Sequence, residues 1–160
     1  MERESAAVIR TCHRVLGDLH EAEDAAQEAF VTAFRRLAAW RGDGPFGAWL
    51  TRIAVRIALR RAQRRRDVAW IDSGDPVAMV DPASESDPAV SSIRAERSTA
   101  IRAAVARLDE PYREVIALRF YAEMSLEEIA AQTGRPLGTV KTHLHRGLLR
   151  LRGTVEGTLS

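Results

Sequence analysis

Apolar residues recur every three or four positions along most of the chain, and this spacing predicts helices. In the first part of the chain it predicts three of them. One covers residues 3–16, a second begins near Glu21, and a third follows Pro45 and extends to residue 66. The apolar stripe of the second helix is Ala22, Ala26, Ala29, Phe30, Ala33, Phe34 and Leu37. The pattern therefore predicts a three-helix unit over residues 1–66.

Helical spacing resumes at Ile93 and predicts four further helices in a second unit over residues 93–160. Their approximate ranges are 93–107, 111–122, 125–133 and 138–152. The connections between them are only a few residues long, which is typical of a compact helical DNA-binding module. The fold class expected from the sequence is thus all-α, with two small helical domains.

The segment between the two units, residues 67–92, has a different composition. It holds three prolines and six acidic residues and has no basic residue. Proline and charge at this density are typical of a flexible linker, because such a segment buries too little apolar surface to offset the entropy of ordering. The sequence predicts that proteases cut here and leave two resistant fragments.

The C-terminal unit contains a helix-turn-helix pattern. Ser125 and Glu128 form a capping box that starts one helix, which closes at Gly134, and a short turn leads to a second helix beginning near Gly138. In the second helix the inward positions are Val140, Leu144, Gly147 and Leu151, and the outward positions are Lys141, Thr142, His145, Arg146 and Leu149. The outward face offers donors to phosphates and base edges. The alternative is an ordinary solvated face of a core helix.

Candidate enzyme chemistry is not visible in the sequence. The single cysteine, Cys12, has no partner for an internal disulfide. The four histidines, at positions 13, 20, 143 and 145, have no carboxylate or serine arrangement around them that suggests a triad or a metal site. We therefore predict no catalytic residue, no metal and no cofactor. The charged N-terminus and the lack of a long apolar run predict a cytoplasmic protein.

Charge is strongly segregated along the 160 residues, although the net charge is only +2. Residues 1–66 carry 13 arginines and 8 acids, residues 67–92 carry 6 acids and no base, and residues 93–160 carry 11 bases and 8 acids. Two basic units flanking an acidic spacer favour a polyanionic partner such as DNA. Soluble helices of mixed charge are the alternative explanation.

Four segments resemble regions 2 and 4 of the extracytoplasmic-function sigma factors, group 4 of the sigma-70 family. They are Glu23 to Phe30, Phe46 to Ala54, Leu108 to Val115 and Ser125 to Arg152. The resemblance spans most of the chain outside the linker, and the order and spacing of the segments make coincidence improbable.

The resemblance implies three sets of site residues. It implies contacts with core RNA polymerase by Asp24, Gln27 and Glu28. It implies recognition and melting of the minus-ten promoter element by Arg41, Phe46, Trp49, Arg52, Arg56, Arg60 and Arg61. It implies recognition of the minus-thirty-five element by Thr139, Lys141, Thr142, His143, His145 and Arg146. A base flipped from the minus-ten element needs a stacking surface, to which Trp40, Phe46 or Trp49 would contribute, although core packing is the expected role of Trp49.

The expected function is that of a sigma factor, which directs polymerase to promoters and leaves the chemistry to the polymerase. The expected partners are core RNA polymerase, promoter DNA and an anti-sigma factor. The alternative is a sigma-like regulator that binds polymerase or DNA without initiating transcription. Two departures from the family motivate it: Arg56 and Arg60 stand where Asn and Asp are common, and the first motif lies close to the N-terminus. A nucleic-acid-processing enzyme is a third hypothesis, but neither basic unit has a carboxylate cluster.

Overall fold

The computed structural model describes residues 2–42, 44–73 and 88–159, and the regular secondary structure in these ranges is helical. The helices are α1 (Glu2–Leu16), α2 (Leu19–Arg35), α3 (Phe46–Ser73), α4 (Pro88–Arg107), α5 (Tyr112–Phe120), α6 (Leu126–Thr133) and α7 (Leu137–Leu159), with a 3-10 turn at Leu37–Ala39. We call α1 to α3 the N-terminal module and α4 to α7 the C-terminal module. The predicted all-α architecture, with three and then four helices, is confirmed.

The helices α1, α2 and α3 pack against each other through small residues. The buried stripe of α2 is Ala22, Ala25, Ala26, Ala29 and Ala33. Alanine allows close approach of neighbouring backbones, so α1 contributes Val8, Cys12 and Val15 and α3 contributes Leu50, Ala54 and Val55 directly to this core. Asp18 begins α2 by accepting a hydrogen bond, 2.8 Å long, from the backbone N–H of Glu21.

The expected apolar stripe of α2 is wrong at its C-terminal end. Phe34 is 81% exposed and Leu37 is 47% exposed. Phe34 follows Ala33 directly, and one residue corresponds to a turn of about 100° around a helix. The alanine stripe is narrow, and Phe34 therefore lies outside it.

The helices on either side of the predicted linker are longer than the sequence pattern indicated. Helix α3 continues to Ser73 instead of residue 66, because the chain from 48 to 73 contains neither proline nor glycine to interrupt it. Helix α4 begins at Pro88 instead of Ile93, since proline is tolerated in the first turn of a helix. The mobility predicted for the linker concerns mainly residues 74–87, which lie outside the described residues, and it remains a prediction.

The two modules are packed against each other. Buried side chains of α1, α2 and α3 form one continuous apolar cluster with Val115, Leu118, Met124 and Ile129 of the C-terminal module. A second cluster, internal to the C-terminal module, is built on Val105, Leu108 and Ile116. The sequence pattern indicated two separate units and did not predict the contact between them.

Candidate nucleic-acid interface

The helix-turn-helix is formed by α6, a short turn and α7. Ser125 lies before α6 with extended backbone, and its hydroxyl oxygen accepts a hydrogen bond of 3.1 Å from the backbone N–H of Glu128. Gly134 ends α6 in the left-handed conformation with φ of 68°, which glycine adopts without steric cost. The predicted capping residue, closing glycine and turn are therefore confirmed.

One face of α7 is held against the rest of the C-terminal module. Val140 is completely buried, and Leu144 packs against both apolar clusters. A Cβ atom added to Gly147 would lie 3.0 Å from Cγ1 of Ile116, so α5 and α7 touch at this point. These contacts fix the rotation of α7 about its axis, and the predicted inward face is confirmed.

The opposite face of α7 is exposed. It carries Lys141, Thr142, His145 and Arg146 at the start and middle of the helix. The Thr142 hydroxyl donates a hydrogen bond of 3.0 Å to the backbone oxygen of Gly138, which leaves its oxygen free to accept and its methyl group available for apolar contact. The four side chains form a cationic and hydrogen-bonding surface of the kind that fits a DNA groove.

His143 and Thr139 are placed differently from the other four predicted recognition residues. Both are half-buried. The ring of His143 meets the ring of Tyr112 edge to face, with centroids 5.8 Å apart. Burial lowers the pKa of His143 below its ordinary value, and the positive charges of Arg135 and Arg146 lower this pKa further. His143 is thus mainly neutral near pH 7 and faces Tyr112.

Three aromatic rings lie together at the start of α3. Trp40 is 5.3 Å from Phe46 and 6.4 Å from Trp49, and Phe46 is 5.7 Å from Trp49, measured between ring centroids. Phe46 and Trp49 also pack against the apolar core. All three side chains are half-buried, so the group is anchored on one side and accessible on the other. This arrangement is suited to stacking of an unpaired base.

The arginines of α3 that were predicted to face DNA have intramolecular partners in several cases. Arg52 and Arg56 pair with the buried carboxylate of Glu114 at 3.1 and 3.4 Å. Arg61 pairs with Glu28 at 2.7 Å, which joins a predicted DNA contact to a predicted polymerase contact. Arg60 lines the same cleft as Arg56, and Arg41 is exposed. The arginine set is therefore divided between solvent, the module interface and, for Arg61, an ion pair within the N-terminal module.

The predicted polymerase-binding residues lie on one exposed face of α2. Asp24, Gln27 and Glu28 are all exposed, on the side of the helix away from the buried alanines. Asp24 and Glu28 are four positions apart, so their carboxylates project from neighbouring turns. The geometry places the three side chains together, whereas their role in binding remains a prediction.

Within the described residues, no three His, Cys, Asp or Glu side chains are grouped so that they would hold a metal ion. No helix in that same part of the chain is long and apolar enough to cross a membrane.

Comparison with known proteins agrees with this geometry. Residues 1–68 match the family model for sigma-70 region 2, and residues 98–151 match the model for sigma-70 region 4. The chain is 34% identical over 151 residues to the ECF RNA polymerase sigma factor SigW of Bacillus subtilis, with 91% of this chain and 81% of the relative covered. The chain belongs to the extracytoplasmic-function sigma factors.

Further relatives of this sigma factor agree with the assignment. The RNA polymerase sigma-H factor of Pseudomonas aeruginosa is 35% identical, with 87% of this chain and 79% of the relative covered. Solved structures that share the fold include the following two. Sigma factor RpoE in complex with the anti-sigma factor NepR from Bartonella quintana matches with a TM-score of 0.59 and 20% identity, covering 96% of this chain and 92% of that one. CnrH in complex with the cytosolic domain of CnrY matches with a TM-score of 0.62 and 24% identity, covering 98% and 84%.

Sequence reasoning missed the residues that join the two modules of this sigma factor. The most informative of them is Glu114, which is only 4% exposed. Helix α5 buries five consecutive residues, Glu114–Leu118, which means that it is covered on almost every side. A short helix with an unbroken Val-Ile-Ala-Leu run is a signal of such burial, and a carboxylate beside that run must find cationic partners.

Proposed function

We propose that this chain is a sigma factor that binds core RNA polymerase and directs promoter-specific initiation of transcription. The observation that carries the proposal is the exposed face of α7, which presents Lys141, Thr142, His145 and Arg146 from a helix-turn-helix. That face lies in the part of the chain that matches sigma region 4, and residues 1–68 match region 2. Sigma factors regulate transcription, and the polymerase forms the phosphodiester bonds.

The C-terminal module would read the minus-thirty-five element through α7 in the major groove. The inward contacts of Val140 and Gly147 fix which side chains face outward, so the reading face is preorganised. Arg146 is our choice for a base contact, because its planar guanidinium can donate to O6 and N7 of one guanine together. Lys141 and His145 would contact phosphates or neighbouring bases.

The N-terminal module would open the minus-ten element. The cluster of Trp40, Phe46 and Trp49 offers a stacking surface for a base that leaves the duplex. The arginines of α3 at positions 52, 56, 60 and 61, with Arg41 in the preceding loop, would bind the phosphates on either side. Stacking offsets part of the cost of unpairing, and phosphate contacts hold the separated strand.

The exposed face of α2 would bind core polymerase through Asp24, Gln27 and Glu28. Asp24 offers the cleaner test because Glu28 is also paired with Arg61. We expect Asp24→Lys to weaken binding to core polymerase at least tenfold, which corresponds to about 1.4 kcal/mol, with unchanged helix content. Glu96→Lys is the matched control, since Glu96 is an exposed acid on α4. Equal core affinity of the two variants in a pull-down titration would refute the assignment of this face.

Run-off transcription with core polymerase and a library of promoter sequences tests initiation itself. A defined family of transcripts that depends on the chain is the expected result. Binding to polymerase without any transcript, on every promoter tried, would refute initiation and favour a regulator.

Promoter reading by α7 is tested by Arg146→Ala in the holoenzyme. We expect lower affinity chiefly for the selected minus-thirty-five sequence, with a loss of discrimination of about 1 to 3 kcal/mol. Arg152→Ala, an exposed arginine later on α7, is the control. If Arg146→Ala weakens binding to selected and scrambled DNA by the same factor, Arg146 is a phosphate contact.

An anti-sigma factor is the further partner that we propose. The proposal is supported by one solved structure with this fold, in which a sigma factor is in complex with the anti-sigma factor NepR. We also propose that the chain is located in the bacterial cytoplasm, because promoter DNA and core RNA polymerase are located there.

A further inference from the structure

The contact between the modules is centred on the buried carboxylate of Glu114. Its Oε1 lies 3.1 Å from Nε of Arg52 and 3.4 Å from Nε of Arg56, both on α3. Its Oε2 lies 3.9 Å from Nη2 of Arg135, in the turn that precedes α7. Arg52 also donates a hydrogen bond to the backbone oxygen of Gln132 in α6. The carboxylate of Glu114, in the C-terminal module, is thus paired with arginines of both modules.

A buried carboxylate is stable only if cations and hydrogen-bond donors surround it. Two of the three cations around Glu114 are arginines of α3, to which we have assigned contacts with DNA phosphates. Carboxylate and phosphate oxygens accept hydrogen bonds from a guanidinium group in the same way. Glu114 therefore occupies donors of Arg52 and Arg56 that a phosphate would use.

A second set of contacts holds the modules together without involving the carboxylate of Glu114. Arg14 of α1 donates a hydrogen bond of 3.0 Å to the backbone oxygen of Tyr121, and it pairs with Glu123 at 3.4 Å. Arg113 of α5 donates to the side-chain oxygen of Gln63 in α3 at 3.1 Å. With the shared apolar cluster, these contacts extend the interface from α1 to the far part of α3.

We infer that the two modules form a closed state in which Glu114 competes with DNA phosphates for Arg52 and Arg56, so that DNA binding by α3 requires the modules to separate. This inference rests on the proposed function, because Arg52 and Arg56 are DNA contacts only in that proposal. The apparent dissociation constant for DNA is then the intrinsic value divided by the fraction of open molecules. Weakening the interface should tighten DNA binding.

Arg14→Glu tests this without changing any residue assigned to DNA or polymerase. Arg14 is 43% exposed in its side chain, and a glutamate there would face Glu123 and repel it. The double variant Arg14→Glu/Glu123→Arg restores an opposite-charge pair. The measurements are fluorescence anisotropy with a short mixed-sequence DNA duplex at fixed salt, and small-angle scattering for the radius of gyration. Both use the full chain.

The expected result for Arg14→Glu is a larger radius of gyration and DNA binding about tenfold tighter if roughly one wild-type molecule in ten is open. The double variant should return to wild-type values in both measurements. Charge alone predicts the opposite sign, since Arg14→Glu lowers the net charge by two and removes attraction to phosphates. Unchanged or weaker DNA binding by an expanded Arg14→Glu variant would overturn the inference, as would tighter DNA binding by a variant that stays as compact as the wild type.

Glu114→Gln addresses the carboxylate directly. Its control is Asp109→Asn, which removes one negative charge from a side chain that is 82% exposed. Glu114→Gln should tighten DNA binding several-fold more than Asp109→Asn, and equal effects would overturn the competition. The proposed function is judged separately. If the chain supports run-off transcription but these variants gain no affinity for DNA, the competition by Glu114 is refuted and the proposed function is not. If the variants gain affinity for DNA but no transcript is formed, initiation is refuted and the competition is not.

Discussion

Gly147 is the position at which adding a single methyl group should most disturb α7, the helix that we propose reads the minus-thirty-five element. A Cβ atom at this position would lie 3.0 Å from Cγ1 and 3.3 Å from Cδ1 of Ile116, and 3.4 Å from Cβ of Tyr112. Ile116 has little room to retreat, because it is 1% exposed and packs with Val105 and Leu108. Gly147→Ala therefore forces α7 and α5 apart or distorts the side chain of Ile116.

Two opposing effects determine how Gly147→Ala changes the free energy of unfolding. Alanine is favoured over glycine inside a helix by about 0.8 to 1 kcal/mol. Adding a methyl group to a packed core costs about 1 to 3 kcal/mol. With a cost near the middle of that range, Gly147→Ala should lower the free energy of unfolding by about 1 kcal/mol. Gly153→Ala on the same helix meets no atom within 4 Å, so it should raise the free energy of unfolding by about 0.5 to 1 kcal/mol.

Urea denaturation followed by circular dichroism measures both variants against the wild type. The opposite sign of the two glycine-to-alanine changes is the result to look for, because intrinsic helix propensity gives both the same sign. Gly147→Ala should also weaken DNA binding, since a displaced α7 no longer presents Lys141 and Arg146 from the same place. If Gly147→Ala stabilises the protein as much as Gly153→Ala does, the close approach of α5 and α7 is not what holds the reading helix.

Three further predictions concern single side chains. Burial raises the pKa of the Cys12 thiol to about 12, so iodoacetamide should label Cys12 in native protein far more slowly than in urea, and equal rates would contradict this. Because the pKa of His143 is lowered on folding, the unfolded chain binds more protons, and the free energy of unfolding should fall as the pH drops through His143's ordinary value of 6.5; His143→Gln should reduce that slope in a series of thermal melts. Ser125→Ala removes the cap of α6 and should lower the free energy of unfolding by about 1 kcal/mol, and an unchanged melting temperature would contradict this.

The local features of the fold were predictable from the sequence because their causes are local. The start of α6 depends on a hydroxyl three residues from the N–H that it caps, and its end depends on the ability of Gly134 to adopt a positive φ. The inward face of α7 follows from helical periodicity. The end of α3 at Ser73 does not follow from composition, because the chain changes from basic to acidic after residue 66 while no glycine or proline interrupts the helix between residues 48 and 73.

The module interface was not predictable in the same way. Arg52 and Glu114 are 62 positions apart, and Arg14 and Tyr121 are 107 apart. Periodicity and capping rules act over one or two helical turns and carry no information about such pairs. The DNA contact predicted for Arg61 leaves out its ion pair with Glu28 for the same reason, since Glu28 lies on another helix. The sequence shows which arginines α3 carries, whereas tertiary packing determines which of them pair with acidic side chains of the protein itself.

The two arginines of α3 around Glu114 differ in how readily they can leave it. The side chain of Arg56 is 55% exposed, whereas that of Arg52 is 23% exposed and also bonded to the backbone of Gln132. When Arg56 turns to a phosphate, Glu114 keeps Arg52 and Arg135, so the carboxylate stays paired and the cost is small. When Arg52 leaves, the interface itself must open. DNA binding by α3 would therefore require the modules to separate mainly because of Arg52, whose release from Glu114 and Gln132 opens the interface, whereas the release of Arg56 adds little to the cost.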